Sequence, residues 1–443
     1  MTNIPSTKSD IASVLSKLSL KNIDDLFKII PSKFKFDINK LPLKDRLSEQ
    51  ELNTLFLSIS NKNLNAANSL CFMGGGSYDH YIPKIIDTLS SRSEFCTSYT
   101  PYQAEVSQGT LQYLYEFQSM LCELSGMDVS NASLYDGASA AAEACIMSVN
   151  YTHKKKVLVS SMLHPEYIDV IKTYLKPKNI EIVLLENDKG LTSYEDYEKC
   201  IDKETAGIVI QSPNYFGLIE DWKLFSKNKD QSLLIGISDP ISLSLLESPG
   251  KCGCDIYVGE GQPLGNYMEY GGPNIGLLTC KNYLMRKLPG RIIGKTTDVD
   301  NSEGYVMVLQ TREQHIRRGR ATSNICTNQG LLALRCTIYL ALFGKEGLPK
   351  IAQICYNNAQ YAAKTIDKLG KFKIFNKNRS FIKEFVVVSD ISSKRIQNDG
   401  IKNNILIDRP KYNKNDNLIL LAFTEKRTKS EIDTLVNFLS KYE

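Results

Sequence analysis

Tyrosines and a histidine beside a run of glycines are the first side chains in this sequence that could line a binding site. His80 and Tyr81 follow Gly74–Gly76, which permit tight backbone and close approach of another group. A second cluster surrounds a proline and consists of Tyr99, Thr100, Tyr102 and Gln103. Because proline biases the preceding residue toward extended backbone, the sequence predicts a short polar-aromatic loop that faces a ligand or a partner. Half-buried tyrosines that only pack against the core are the alternative.

His80 is the strongest functional candidate among the histidines, because it lies beside the glycine run. Its place beside the glycines predicts a role at the mouth of a pocket. A lone histidine is as often a structural one with satisfied hydrogen bonds, and both interpretations stand.

A basic stretch in the second half of the sequence precedes a run of hydroxyl and amide side chains. The basic side chains are Arg312, His315, Arg317, Arg318 and Arg320, and the run is Thr322, Ser323 and Asn324. Guanidinium groups followed by hydroxyls are typical of a loop that binds a phosphate or a carboxylate. The alternative is a solvated charged surface, which is what most charge runs are.

Helix and strand patterns alternate around these candidates. Apolar residues recur at helical spacing from Ser107 to Leu124, Gly126 is placed to end that helix, and Asp136 is placed to begin another. Short apolar strands and helices then alternate from 157 to 279, which is typical of a mostly parallel sheet with helices on both faces. The sequence has no GxxxxGK[ST] motif and no GxGxxG after a strand. These absences argue against a phosphate loop and a nicotinamide site.

The composition is that of a large globular protein. The 443 residues are enough for two domains, and 42% of them are apolar. No apolar run is long enough to span a membrane, and Met1–Asn22 lacks the features of a secretion signal. The net charge of +5 is too small to indicate nucleic-acid binding. Eleven cysteines lack metal-ligand spacing, so we expect reduced thiols, no bound metal and a cytoplasmic location.

Long strings around the candidates resemble one enzyme family. The strings are SYTPYQAEVSQG, FQSMLCELSGMDVSNASLYDGASAAAEA and REQHIRRGRATSNICTNQGLLAL. They are similar to the first subunit of the glycine cleavage system P-protein, the decarboxylating glycine dehydrogenase, and the resemblance runs from about Phe72 to Gly347. It implies an α/β protein with the aspartate-aminotransferase-like fold of fold-type I PLP enzymes and a mostly parallel seven-stranded sheet. It also implies an N-terminal helical arm (1–70), a large domain (71–330), and linker helices with a small C-terminal α/β domain (331–443).

The same resemblance identifies a cofactor site that lacks its reactive amine. In this fold an aspartate at a strand end supports the ring nitrogen of PLP, and a lysine on a later strand end binds the cofactor covalently. Asp239 fits the first position, and His164 matches a side chain that stacks on the cofactor ring. Gln262 and Pro263 stand where the lysine is expected, since residues 255–276 contain no lysine. The alternative is a misplaced strand, with the covalent lysine at Lys251, Lys281 or Lys295.

The resemblance therefore implies an α subunit that acts with a lysine-bearing β subunit, as αβ or α₂β₂. The β subunit is expected to hold PLP, decarboxylate glycine and pass the aminomethyl group to the lipoyl arm of H-protein. This chain is expected to bind no cofactor covalently and to have no catalytic residue of its own. Its expected contribution to the partner's active site is the tyrosine loop, His80, Tyr81 and Thr322–Asn324. Two alternatives stay open: a non-catalytic scaffold subunit, and a self-sufficient PLP-dependent amino-acid decarboxylase.

Overall fold

The chain folds into two compact units in a computed structural model that describes residues 6–37, 40–42, 46–97, 99–411 and 416–443. The units are Met1–Asn63 and Leu64–Glu443, so residues 64–70 of the predicted arm belong to the second unit. No helix in the described ranges has both the length and the apolar character needed to cross a membrane.

The N-terminal unit consists of short helices. Helix α1 covers Lys8–Lys17, α2 covers Glu49–Ser60, and 3-10 helices lie at Ile23–Phe27 and Ser32–Phe34. Both α-helices begin with a capping box, in which two neighbouring polar side chains satisfy the first free N–H groups. The sequence predicts a full helix over Asn22–Ile30, but the structure has only the 3-10 turn there. None of the described residues of this unit is buried.

The second unit alternates helices and strands along most of its length. Its α-helices are α3 Lys84–Ser90, α4 Ser93–Cys96, α5 Gln108–Ser125, α6 Gly137–Thr152, α7 Pro165–Leu175, α8 Tyr194–Cys200, α9 Trp222–Ser226, α10 Gln314–Arg317, α11 Gly330–Ile366, α12 Ser393–Lys402 and α13 Lys429–Leu439. Its strands are β1 Leu70–Cys71, β2 Val129–Ser130, β3 Lys156–Ser160, β4 Glu181–Leu185, β5 Asn187–Asp188, β6 Leu191–Thr192, β7 Thr205–Gln211, β8 Leu233–Ile237, β9 Ile256–Glu260, β10 Gly276–Cys280, β11 Ile292–Thr297, β12 Glu303–Val308, β13 Phe372–Ile374, β14 Glu384–Ser389, β15 Ile405–Leu406 and β16 Leu418–Ala422. Short 3-10 helices lie at Ala104–Val106, Lys176–Lys178, Ser242–Ser244, Asn282–Lys287, Gln310–Arg312, Arg318–Arg320 and Ser440–Tyr442.

A seven-stranded sheet forms the centre of this unit, in the order β2-β10-β9-β8-β7-β3-β4. The five strands from β9 to β4 are parallel, and β10 pairs antiparallel both with β9 and with the short edge strand β2. Val157 and Val159 belong to one buried apolar cluster and Leu158 to another, because successive side chains of a strand point to opposite faces. Apolar residues fill both faces, as in parallel sheets covered by helices on each side. The predicted fold class is confirmed.

Two features of the second unit differ from the sequence prediction. β11 and β12 form an antiparallel hairpin that the sequence does not predict, and Lys295 lies on this hairpin, outside the large sheet as expected. The two helices predicted over 331–343 and 348–369 join into α11, whose backbone is non-helical at Gly344 with φ of 56° and ψ of −164°. Glycine tolerates that conformation, so the helix can change direction there without ending.

The C-terminal part has its own antiparallel sheet in the order β13-β14-β16. Buried side chains of α11, α12 and α13 share one apolar cluster with this sheet. β1 pairs in parallel with β15, so the segment that precedes the glycine run is tied to the C-terminal part. β14 begins at Glu384, beside the carboxyl ends of the large sheet, and this junction holds the candidate site.

Candidate functional site

A small cavity lies where the parallel strands of the large sheet end. Asp239 follows β8, Glu260 ends β9, Gln211 ends β7, and His164 follows β3. α/β sheets bind ligands at this edge. The structure therefore brings the sequence-predicted Asp239 and His164 together on the walls of one cavity. Its volume is about 40 Å³, which suits a water molecule and is far below the roughly 300–1,000 Å³ of a ligand pocket.

A lysine from the C-terminal part occupies the centre of this site. Lys383 Nζ donates to Asp239 Oδ1 at 2.8 Å, lies 3.1 Å from His80 Nε2, and sits 3.5 Å from the centre of the Tyr78 ring. The lysine side chain is only 3% exposed. Asp239 Oδ2 accepts from the N–H and the hydroxyl of Ser242 at 2.8 and 2.6 Å. Burial alone would raise the pKa of Asp239, but the charge of Lys383 and these hydrogen bonds hold it below its usual value.

His80 continues this network away from the cavity. An ammonium has no lone pair to offer, so Lys383 donates to His80 Nε2, and His80 Nδ1 donates to Glu425 Oε2 at 2.6 Å. Glu425 also accepts from the Tyr81 N–H at 2.7 Å and from the Cys355 thiol at 3.4 Å. His80 is buried, which matches the structural alternative in the sequence analysis and not a place at the mouth of a pocket. The Tyr81 side chain is exposed beside it.

A metal ion is the other chemistry that this cluster invites. The ligand atoms of His80, Cys355 and Glu425 lie within 4.8 Å of one another. However, the imidazole and the carboxylate already share a hydrogen bond, and Lys383 places a positive charge on the other side of the ring. A second cation here would meet that charge in a buried setting, where repulsion is strong. The geometry favours a hydrogen-bond network over a metal centre.

Glu384 connects the glycine run to the start of β14. Its Oε2 accepts from the Gly75 N–H at 2.9 Å, and its Oε1 accepts from the Tyr78 hydroxyl at 2.6 Å. Burial raises the pKa of Glu384. On the opposite side of its backbone, Gly217 has φ of 79°, and a Cβ there would lie 2.0 Å from the Glu384 carbonyl oxygen. The cavity wall at this point therefore depends on a residue without a side chain.

Gly217→Ala is expected to destabilise the protein strongly. Left-handed backbone costs an alanine about 1 kcal/mol or more, and overpacking against a main-chain atom adds roughly 1–3 kcal/mol. We expect a loss of about 3 kcal/mol in the free energy of unfolding, measured by thermal or denaturant unfolding. Gly109→Ala is the matched control, because it lies on α5 with nothing within 4 Å of an added Cβ. That variant should be neutral or slightly stabilised, and equal behaviour of the two variants would refute the close approach.

The residues that replace the expected lysine are buried and engaged with the main chain. Gln262 accepts from the Tyr78 N–H at 2.9 Å, and its amide donates to the carbonyl groups of Tyr78 and Asn266 at 3.2 and 2.8 Å. Pro263 is buried beside it. Gln262 thus holds the segment that carries Tyr78 and His80 instead of offering a reactive group.

A carboxylate lies at the amino end of α6. Glu260 Oε2 accepts from the Gly137 N–H, the first of that helix, at 2.9 Å. Its Oε1 accepts from the N–H groups of Gln262 and Ile275, both at 3.1 Å. Burial nevertheless raises the pKa of Glu260 to about 7. Asp136 caps the same helix through the Ser139 N–H at 2.7 Å, so two acidic side chains meet this helix end.

The residues present do not fit PLP. The cavity is too small for the cofactor, and the acidic partner for its ring nitrogen is already paired with Lys383. None of the alternative lysines is among the described residues that line the cavity. Lys251 is exposed, Lys281 donates to the Gly126 carbonyl at 3.0 Å, and Lys295 pairs with Glu303 on the β11–β12 hairpin at 2.5 Å.

The tyrosine loop lies on the surface and is anchored at its centre. Tyr99 is 78% exposed and Tyr102 is 76% exposed, and their ring centroids are 6.4 Å apart. The hydroxyl of Thr100, which is buried, accepts from Arg291 Nη1, and Arg291 also donates to Asn328 at 3.2 Å. The Gln103 side chain is exposed. The loop therefore presents two aromatic rings to the solvent from a fixed base.

The basic stretch divides into a structural and an exposed part. Arg312 is buried and donates to the carbonyl groups of Leu288 and Gly290, so it supports the fold. The exposed side chains are His315, Arg317, Arg318 and Arg320. Of the hydroxyl run, Thr322 accepts from Asn150 through its carbonyl at 3.5 Å, and Asn324 is exposed. The Ser323 hydroxyl accepts from the Ile325 N–H at 3.1 Å, and its side chain lowers the pKa of the buried Glu143 carboxyl on α6, so this hydroxyl is engaged within the chain.

Glu143 predicts a pH dependence of stability. Burial raises its pKa to about 7, although the hydroxyl of Ser323 opposes the shift. Because the pKa of Glu143 is higher in the folded than in the unfolded protein, its contribution to stability is fully present below the unfolded pKa. That contribution is lost as the pH rises from there through the folded pKa of about 7. Linkage gives a loss of about 3 kcal/mol. Glu143→Gln keeps the shape and removes the titrating carboxyl, so we expect it to gain about that much relative to wild type between pH 4.5 and pH 8. Parallel pH profiles of unfolding for the two proteins would contradict this.

Three residues of the site were not predicted from the sequence. Lys383 and Glu384 stand at the start of an apolar strand, and Glu425 follows another. Charged residues at the ends of buried strands are rarely buried without partners, and that was the available signal. Their partners lie hundreds of positions away in the sequence, so no local pattern connects them.

Comparison with known proteins shows which family this chain belongs to. The family model described as "Glycine cleavage system P-protein" matches residues 1–439. The protein of Desulforamulus reducens called "Probable glycine dehydrogenase (decarboxylating) subunit 1" is 45% identical over 437 residues and 98% of both chains. Its namesake from Syntrophomonas wolfei is 44% identical over 97% of both.

Solved structures agree with these sequence relatives. A crystal structure of glycine decarboxylase (P-protein) of the glycine cleavage system, in inhibitor-bound form, superposes with a TM-score of 0.92 at 33% identity over the whole of both chains. Lactobacillus brevis glutamate decarboxylase, at 14% identity and a TM-score of 0.66 over 93% of this chain and 96% of its own, shares the fold alone. The chain therefore belongs to the glycine cleavage system P-protein family, among the subunit 1 proteins of decarboxylating glycine dehydrogenase.

Proposed function

We propose that this chain is the α subunit of a two-subunit glycine decarboxylase and performs no covalent chemistry itself. A β subunit with a reactive lysine holds PLP and decarboxylates glycine, and the aminomethyl group passes to the lipoyl arm of H-protein. The two chains assemble as α₂β₂ in the cytoplasm. The names of the relatives, each a "subunit 1", support a second subunit.

The observation that carries this proposal is the closed site at the ends of the strands. Lys383 donates a hydrogen bond to Asp239 and fills the space beside it. Gln262 accepts a hydrogen bond from the Tyr78 N–H. A chain with this fold whose own cofactor site is closed acts through a partner. Its contribution to the partner is to bind it and to exclude water from its active site, for which the anchored pair of exposed tyrosines is suited.

Reductive trapping tests the proposal directly. The purified α chain, the β chain and the assembled complex are each incubated with PLP, reduced with borohydride, and mapped by peptide mass spectrometry. We expect a stoichiometric pyridoxyl label on one lysine of the β chain, and glycine decarboxylation only when both chains are present. A specific label on this chain, together with glycine turnover by the chain alone, would overturn the proposal in favour of a self-sufficient decarboxylase.

A further inference from the structure

We propose that the cofactor site of this chain has become an internal ammonium site, in which Lys383 takes the place of the cofactor's ring nitrogen and Glu260 that of its phosphate. When Lys383 is shortened, the site takes small primary alkylammonium ions. This inference goes beyond the proposed function, which gives the pocket no part in the reaction.

Asp239 holds the cationic part of the site. In PLP enzymes an acidic side chain supports a positively charged ring nitrogen. Here the same carboxylate faces an ammonium at 2.8 Å, and the Tyr78 ring face lies 3.5 Å from that ammonium. A cation over an aromatic face is attracted by the ring quadrupole. The Lys383 ammonium therefore has a carboxylate, an imidazole nitrogen and a ring face as partners, which is a complete site for a primary ammonium.

The amino end of α6 is the position where the phosphate of the cofactor would be expected to bind. Helix amino ends bind phosphate through free N–H groups and the helix dipole. In this chain the Gly137 N–H donates to Glu260, and Asp136 satisfies the Ser139 N–H. A phosphate that approached would displace one carboxylate and be repelled by the other. The helix end is thus satisfied from within.

The atoms that Lys383→Ala removes define the ligand that the variant should bind. Lys383→Ala keeps Cβ and removes three methylenes and the ammonium, which together make n-propylammonium. The variant leaves Asp239 buried and unpaired, a condition that costs stability. Added n-propylammonium restores the same charge in the same space, and a ligand that binds only the folded state raises its stability by mass action.

The test is a thermal unfolding titration of the purified full-length chain. For Lys383→Ala we expect a lowered unfolding temperature that rises saturably with n-propylammonium chloride. Equal sodium chloride and equal 1-propanol should produce no saturable rise, because they supply the ionic strength and the shape without the ammonium. Wild type, whose site is full, should not respond, and neither should Lys383→Met, whose side chain fills the space. A folded Lys383→Ala protein that ignores n-propylammonium would overturn the proposal.

A second measurement does not depend on the folding of that variant. Asp239→Asn, Lys383→Met and the double variant form a thermodynamic cycle in which the space stays filled. We expect the double variant to be more stable than Lys383→Met alone, because Asp239→Asn removes the orphaned charge. Additive effects of the two substitutions would refute the pairing.

Wild-type chain should also fail to bind pyridoxine 5′-phosphate, which has the ring nitrogen and the phosphate but no aldehyde for surface lysines. Calorimetry should show no saturable heat. Stoichiometric binding would refute the closed site. It would also remove the observation that carries the proposed function, which the sites of the covalent label and of glycine turnover would then decide separately.

Discussion

Tyr99→Ala combined with Tyr102→Ala is expected to lower the turnover of the assembled decarboxylase by about thirtyfold while the chain stays folded. Truncation of one central aromatic anchor at an interface costs about 2 kcal/mol, which corresponds to that factor. Release of carbon dioxide from glycine by the reconstituted complex measures the effect. Size-exclusion chromatography of the same sample separates loss of activity from loss of assembly.

The physical reason is the contrast between the two rings and their base. Both rings are exposed to solvent, whereas Thr100 between them is buried and held by Arg291. Two exposed aromatic rings side by side form a contiguous apolar patch, and such patches mark interaction sites. Because the base is fixed, the rings lose little conformational entropy when a partner arrives. Under the proposed function, this binding energy serves to close the partner's active site.

Tyr99→Phe combined with Tyr102→Phe distinguishes the rings from their hydroxyls. If the rings only exclude water, this variant should retain most of the turnover, whereas hydroxyls that reach the reacting groups would make it as defective as the alanine pair. An alanine pair that assembles and turns over glycine normally would support the alternative that this subunit is a scaffold. His80 is not a useful comparison, because its burial between Glu425 and Lys383 makes its replacement a test of stability.

Most helices and strands could be predicted from the periodicity of apolar residues and from capping residues. Gly126 ends α5 with φ of 67° and Asp136 caps α6, both as the sequence predicts. These features depend on neighbours within one helical turn, which a sequence displays directly. The β11–β12 hairpin was missed because its residues are half-exposed and show little apolar alternation. Its register is set by pairing with another strand and not by a pattern within one.

The site was less predictable because its contacts are long-range. Asp239 and His164 could be found because each follows a strand at the edge where α/β sheets bind ligands. Lys383 could not, since it comes from the C-terminal part and meets Asp239 only after both parts have folded. The family resemblance thus indicated that Gln262 and Pro263 stand where a lysine is expected, whereas no sequence pattern indicated Lys383.

Removal of residues 1–63 is expected to abolish assembly with the second subunit. Helices of 10 and 12 residues, the lengths of α1 and α2, are marginal in water even with good capping. Each has exposed large apolar side chains, and no described residue of this unit is buried. A helix of this kind is stabilised by the surface that it covers. The truncated chain should therefore remain folded by circular dichroism and fail to co-elute with the second subunit at micromolar concentration.

Point substitutions on α2 test whether one face of this helix contacts the second subunit. Leu52, Phe56 and Ile59 recur at helical spacing and are all exposed. Each large apolar side chain contributes about 1.5–3 kcal/mol when it is fully buried, so replacing all three with alanine should weaken the complex by a factor on the order of a hundred or more. Affinity is measured by titrating labelled chain with the second subunit. The replacements keep or improve helix propensity, so a loss of binding reflects the lost apolar surface.

The polar face of the same helix supplies the matched control. Gln50, Thr54 and Ser58 also lie one turn apart, and their replacement by alanine removes polar groups together with little apolar surface; the Thr54 and Ser58 hydroxyls donate to carbonyls of the helix itself. This variant should bind the second subunit as tightly as wild type does. Equal loss in both triple variants would mean that α2 matters through its own stability, and equal retention would mean that the arm serves something other than the partner. Only selective loss on the apolar face supports an arm that holds the two subunits together.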